Sequence, residues 1–271
     1  MGQAGGVSKV HRELARAKLT RSFRVTGRRD DGYHEVRAEM VTLGLADDVE
    51  LSSGDGIEIV DQIDWSRRTD SLGSLVGDLV VDNLVTTALS LAGRRAHVRL
   101  VKRIPPGAGL GGGSADAAAV LRWAGVSDLH LAAKIGSDVP FCLVGGRANV
   151  EGAGEVVEPL APVDLSFVLL TPAVSVSTSA VYAAFDEIGP SKADSSSNDL
   201  EQAALVVEPR LGRFRELLGT VSGLHPKLAG SGATWFVECD PTQSEEIAQA
   251  VLGAVMEADL TALVVATDTA G

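Results

Sequence analysis

The chain has 271 residues, 45% hydrophobic and 22% charged, with 30 glycines. That composition excludes collagen-like and disordered classes and gives enough length for one large domain or two modest ones. A formal net charge of -12 excludes general affinity for nucleic acid, which needs clustered Lys and Arg, so any phosphate must be held locally.

Residues 1 to 18 contain no apolar leader core, and Gly6 stands where a myristoylation start wants Ser or Thr. No later run approaches the roughly 20 apolar residues that cross a bilayer, so a cytoplasmic protein without membrane attachment is expected. Alternation in Phe23-Arg24-Val25-Thr26, ending at Gly27, and again from Val36 to Leu45 predicts two strands. The polar stretch from Gly27 to His34 joins them as a hairpin loop. Val49-Glu50-Leu51 and Ile57-Glu58-Ile59-Val60 flank Ser52-Ser53-Gly54-Asp55-Gly56, the composition of a tight strand connection. Asp82 to Ala92 has apolar residues at helical spacing and stops at Gly93. His97 to Lys102 returns to strand alternation. Ser114 to Trp123, rich in Ala and Leu, predicts a helix with Ser114 as its N-cap.

Loop composition appears at Gly145-Gly146 and over Ser191 to Ser197, and the apolar strand Leu165 to Leu170 between them is ended by Pro172. A domain boundary is expected near residue 150, which divides the chain into residues 1–150 and 151–271. Strands and helices intermix without a βαβ rhythm or internal repeat, which predicts an α+β architecture rather than a doubly wound sheet. Cys142 and Cys239 form neither a metal-type spacing nor a disulfide framework; both read as ordinary buried thiols.

Pro105-Pro106-Gly107-Ala108-Gly109-Leu110-Gly111-Gly112-Gly113-Ser114-Ala115 is the most informative segment. Glycines let the backbone approach phosphate oxygens and reach positive φ. A helix starting directly after the loop aims unpaired N–H groups and the positive end of its dipole at an anion, which suits an acidic protein. A flexible glycine-rich turn is the bland alternative. A Walker A loop is excluded because no Gly-Lys-Ser/Thr follows at the required spacing, and a dinucleotide fingerprint lacks a parallel-sheet setting.

Pro105 to Ala115 resembles the second motif of the GHMP kinases, the superfamily of galactokinase, homoserine kinase and mevalonate kinase. Ala229-Gly230-Ser231-Gly232-Ala233-Thr234 resembles its third motif. Ala17-Lys18-Leu19, followed by Gly27-Arg28-Arg29-Asp30-Asp31-Gly32-Tyr33-His34-Glu35, resembles the branch acting on a cytidine-diphosphate sugar alcohol in non-mevalonate isoprenoid synthesis; Asp82 to Val85 and Asn198 to Glu201 match as well. The resemblance implies a two-domain fold, with an N-terminal ribosomal-S5-like domain and a C-terminal ferredoxin-like α/β sandwich. It also implies ATP and Mg²⁺ as cofactors and a monomer or homodimer. Lys102 and residues 105–115 are the implied ATP contacts, with Ser114 as a side-chain contact to Mg²⁺ or phosphate; a helix N-cap is its plainer role.

Phosphoryl transfer to an alcohol needs an in-line hydroxyl, charge stabilisation and, in many enzymes, a base. The family's Gly-x-Asp-Val-Pro segment is matched by Gly136-Ser137-Asp138-Val139-Pro140, which implies Asp138 as base, with Lys18 orienting and assisting. Without that frame, Asp138 reads as a turn or helix cap and Lys18 as a solvated surface lysine. Tyr33 and His34 are the implied contacts to the cytidine end, through stacking and hydrogen bonding, against the alternative of a structural hairpin loop. Pro172 and Ser175 to Thr178 resemble a segment lining the substrate side. Tyr182 and Phe185 share a helical face, and the sequence leaves open whether they stack on ligand or pack in the core.

The chain departs from the family at Thr20-Arg21, where Asn-Leu is common, and in a short segment before Asp138. A kinase for another small alcohol leaves Asp-Gly-Tyr-His-Glu unexplained. A catalytically silent nucleotide-binding regulator is motivated only by these two departures, and the presence of Lys18 and Asp138 counts against it.

Overall fold

Strands β1 (His11–Arg28) and β2 (His34–Ser52) form one long antiparallel hairpin, the expected one extended at both ends. The computed structural model describes residues 10–30, 32–66, 83–190 and 198–271. Gly6, Asp31, Asp82 and the loop expected over 191–197 lie outside them. The ladder shifts register between Arg16 and Lys18 and again between Thr20 and Ser22. Such bulges re-aim side chains, and here the segment between them carries Lys18 and Thr20.

Strand β3 (Gly56–Asp61) follows β2 after a short connection, yet the two are not neighbours. Strand β4 (His97–Lys102) lies between them, antiparallel to β2 and parallel to β3, with His97 opposite both Ser52 and Gly56. The tight connection therefore spans an inserted strand. Burial gives the reason: Val98, Leu100 and Val101 of β4 are covered, whereas β3 is partly exposed and tolerates an edge.

Strands β5 (Arg147–Gly152) and β6 (Val156–Pro159) complete a sheet of order β3-β4-β2-β5-β6, with β1 also paired to β2. The change to the second sheet thus falls after Pro159 and not at residue 150. That sheet has the order β10-β7-β9-β8, from β7 (Ser166–Pro172), β8 (Lys227–Leu228), β9 (Trp235–Cys239) and β10 (Ala262–Asp268). Among the described strands only β3 and β4 pair in parallel, as an α+β fold requires.

Helix α1 (Leu84–Leu91) starts at Asn83, whose side chain accepts from the Val85 N–H, and is followed by Gly93 at φ +60°. Helix α2 (Gly112–Ala124) is buried from Ala115 to Leu121, and its small side chains let it lie close against β1. A short α3 (Leu129–Ala133), capped by Asp128, leads to α4 (Val139–Val144). The second half adds α5 (Thr178–Ile188), α6 (Glu201–Val207), α7 (Leu211–Ser222) and α8 (Ser244–Glu257). Among the described residues no helix is long and apolar enough to cross a membrane.

One core cluster joins Phe23 and Met40 of the first sheet to Val168, Leu170 and Trp235 of the second. Another packs Leu19 and Val41 with Ala108 and Leu110 against Phe167 and Phe236. The two halves share their apolar interior, and the glycine loop is anchored in it.

Candidate active site

Alternation governs the loop. Gly107, Gly109 and Gly111 adopt φ of +66°, +76° and +68°, the left-handed region that L side chains avoid. Between them Ala108 and Leu110 turn inward and are buried, so they contribute to a ligand only through backbone. A Cβ on Gly109 would stand 2.5 Å from the Ala229 carbonyl oxygen, and one on Gly111 would stand 2.8 Å from Lys18 Cγ. The loop is thus wedged between the turn at 229–232 and Lys18. Helix α2 begins at Gly112, after Gly111, so Ser114 is not its N-cap as expected but lies within its first turn. The helix starts early because left-handed Gly111 supplies the chain reversal that a polar cap would otherwise make, and its carbonyl already accepts from the Ala115 N–H.

Asn198 fixes the 229–232 turn from behind. Its buried amide donates to the carbonyls of Leu228 and Gly230 and accepts from the Leu200 N–H. Asp199 accepts from Val25 N–H and Arg24, which ties the same segment to β1. The Ala108 carbonyl accepts from Thr234 N–H, so the two glycine-rich turns are joined directly.

Lys18 is 5% exposed, which rules out the solvated-surface reading. Its Nζ donates to Thr20 Oγ1 at 3.2 Å and stands 3.2 Å from Asp138 Oδ2. Asp138 occupies the cap position of α4, but its side chain makes no cap hydrogen bond. The carboxylate is therefore free to face Lys18. The short segment before it, holding only α3, still delivers it there.

Two cavities meet at this pair. One of about 710 Å³ contains Lys18, Tyr33, His34, Thr178 and Tyr182 in its walls; the other, of about 320 Å³, contains Asn83, Lys102, Ser114 and the glycine loop. Gly107, Gly109 and Asp138 line both. A group bound in either cavity reaches the other across the carboxylate.

Lys102, expected to contact ATP, is 3% exposed and is engaged by Asp47 and Asp116. Asp47 also accepts from the N–H groups of Arg103 and Ile104, so this buried triad pins the chain where the loop begins. Asp116 receives Lys102 on one oxygen and nothing on the other. Burial, with Lys102 opposing, pushes its carboxyl up to about 7. Among the described residues no three His, Cys, Asp or Glu side chains are grouped to hold a metal ion.

At the far end of the larger cavity, Tyr33 is 67% exposed on the hairpin loop. His34 stacks on Tyr182 at 4.7 Å and 20° and meets Phe185 edge-on at 6.1 Å. The open question about the two aromatics thus divides: Phe185 is buried in the core, whereas Tyr182 lines the cavity. Burial, with the charge of Asp138 added, pushes the Tyr182 phenol up to about 12. The hydroxyls of Thr178 and Ser231 lie 2.9 Å apart at the cavity wall. Pro172 does not join them: at the end of β7, opposite Ala262, it is buried in the second sheet and lines neither cavity.

Arg21 has a plain explanation. It pairs with Glu39 of β2 and, at 2.8 Å, with Glu238 of β9, linking the two sheets. Cys142 and Cys239 are free thiols, as expected, but each is partly exposed rather than buried; desolvation nonetheless pushes the Cys142 thiol up to about 12. Asp47, Asp116, Asp186 and the role of Asn198 escaped the sequence. Only Asp186 left a signal, one helical turn beyond Tyr182.

The family model for the N-terminal domain of GHMP kinases matches residues 80–146. A 4-diphosphocytidyl-2-C-methyl-D-erythritol kinase of Rhodopseudomonas palustris (strain BisB18) is 35% identical over 291 residues, covering 92% of each chain. The protein of that name from Pelotomaculum thermopropionicum is 36% identical over 255 residues, covering 82% of this chain and 87% of its own. A crystal structure of 4-(cytidine 5'-diphospho)-2C-methyl-D-erythritol kinase matches with a TM-score of 0.71 at 30% identity, over 96% of this chain and all 100% of that one. The mevalonate kinase of Methanococcus jannaschii, at 12% identity and a TM-score of 0.61 over 99% and 100% of the two chains, shares the fold.

Proposed function

The chain belongs to the 4-diphosphocytidyl-2-C-methyl-D-erythritol kinase family of GHMP kinases, and from this we propose that Asp138 and Lys18 transfer the γ-phosphoryl group of ATP to the 2-hydroxyl of that cytidyl alcohol. The protein is an ATP-dependent phosphotransferase acting on an alcohol group, in the non-mevalonate route to isoprenoid precursors. The observation that carries the assignment of roles is the position of Asp138 in the wall of both cavities, 3.2 Å from Lys18.

The nucleotide occupies the smaller cavity, with its phosphates against the N–H groups of residues 107–114 and the N-terminus of α2. The acceptor lies in the larger one, its cytidine end toward Tyr33 and His34 and its alcohol toward Asp138, with Thr178 on the wall between. Asp138 takes the hydroxyl proton as the alkoxide oxygen bonds to the γ-phosphorus and the bond to the β–γ bridging oxygen breaks, releasing ADP. Lys18 holds the carboxylate in place and faces the charge on the moving phosphoryl group. Lys102 acts through the backbone by fixing the start of the loop. The Ser114 hydroxyl, a hard oxygen donor in the wall of the nucleotide cavity, suits Mg²⁺, which screens phosphate charge when bound.

An ADP-release assay across acceptors tests this reading. The cytidyl alcohol is expected to be turned over far faster than homoserine or mevalonate. Faster turnover of either of those would overturn it.

A further inference from the structure

His34 is held by a residue on a different element. Its Nε2 lies 2.7 Å from Asp186 Oδ1, and Arg28 Nη1 occupies Oδ2 of the same carboxylate at 3.1 Å. Asp186 stands on α5, one turn beyond Tyr182, and all four residues line the larger cavity. The His34 side chain is 10% exposed. Its plane is set by the stack on Tyr182, and its edge by Phe185.

A carboxylate only accepts, so the hydrogen bond to Asp186 places a hydrogen on Nε2, and in the neutral tautomer so selected the lone pair is on Nδ1. Among the described residues Nδ1 has no partner. Cytosine and uracil differ at this chemistry: the first presents an exocyclic 4-amino donor, the second a 4-oxo acceptor. We propose that Asp186 is a specificity-determining positioning residue, which fixes the His34 tautomer and orientation so that Nδ1 accepts from the 4-amino group of cytosine and rejects uracil. The inference rests on the cytidyl acceptor proposed above.

The mechanism separates this role from that of an ordinary surface ion pair. An ion pair between Arg28 and Asp186 alone stabilises the protein slightly and is blind to the base. A fixed tautomer leaves a buried acceptor without a partner when the wrong base binds, and that penalty is what discriminates.

Direct titration of the intact chain with cytidine 5'-diphosphate and uridine 5'-diphosphate tests it, with a non-hydrolysable ATP analogue as the control for folding. The unaltered chain is expected to prefer the cytidine ligand by about tenfold or more. In Asp186→Ala the preference is expected to fall to about twofold or less, through weaker cytidine binding, with the affinity for the ATP analogue kept. Asp186→Asn, whose amide can donate as well as accept, is expected to fall between the two and carries the same test if the alanine variant loses the ATP analogue. Retention of the full preference in these variants, or its absence in the unaltered chain, overturns the inference. Failure of the kinase reading is distinguishable, because it leaves cytidine diphosphate bound without phosphoryl transfer to the cytidyl alcohol.

Discussion

Lys18 Nζ stands 3.2 Å from Asp138 Oδ2, one on the bulged segment of β1 and the other at the head of α4. The bulges on either side of Lys18 and the lack of a cap bond at Asp138 leave both groups facing the junction of the two cavities. Asp138→Asn keeps the shape but removes the proposed base. It is expected to lower kcat by about 10² to 10⁴-fold while leaving the affinity for an ATP analogue nearly unchanged. Steady-state kinetics paired with nucleotide titration checks this, and wild-type turnover would sink the assignment.

Gly109 and Gly113 belong to one motif but have different tolerances. Gly109 sits at φ +76° with the Ala229 oxygen 2.5 Å from a would-be Cβ, whereas the nearest atom to a Cβ on Gly113 is Leu84 Cδ1 at 3.7 Å. Gly109→Ala therefore incurs about 1–2 kcal/mol for the left-handed backbone, with the overlap in addition. It should lower the melting temperature and raise the KM for ATP. Gly113→Ala should do neither to a comparable degree, and thermal melts of both variants decide.

Asn198→Ala removes the donor shared by the Leu228 and Gly230 carbonyls. Buried acceptors left unpaired cost about 1–3 kcal/mol, so the urea midpoint should fall. Because this turn abuts Gly109, the KM for ATP should rise as well. A variant with lower stability and unaltered nucleotide kinetics would show that the turn does not brace the loop.

Burial raises Asp116 from an ordinary value of 3.8 to about 7. Between those values the folded state holds a proton that the unfolded chain has released, so this group makes stability fall as pH rises from about 4 to about 7. The slope is limited to about 1.4 kcal/mol per pH unit for one proton. Asp116→Asn carries no titrating carboxyl and should flatten that part of the stability profile. Urea unfolding of both proteins across this range measures the difference, and identical slopes would contradict the shift.

Much of this protein was legible in the sequence because its signals are local. Positive-φ glycines alternating with Ala108 and Leu110, the apolar run from Leu165 to Leu170, and the helix between Asn83 and Gly93 each follow from backbone sterics and periodicity over a few residues. The motifs around Lys18, Tyr33-His34, residues 105–115 and Asp138 were enough to give the family. Three matters were decided only by tertiary structure. The place of β4 between β2 and β3 depends on which strand has more apolar surface to cover. The course of the first sheet past residue 150 depends on the pairing of β5 with β2. The bonds of Arg21, Asn198, Lys102 and His34 depend on partners distant in sequence, and for these the sequence offers no period or spacing to read. The buried cations and amides are where the two differ most, since a charge or an amide taken out of water needs a partner, and only the folded chain determines which one it meets.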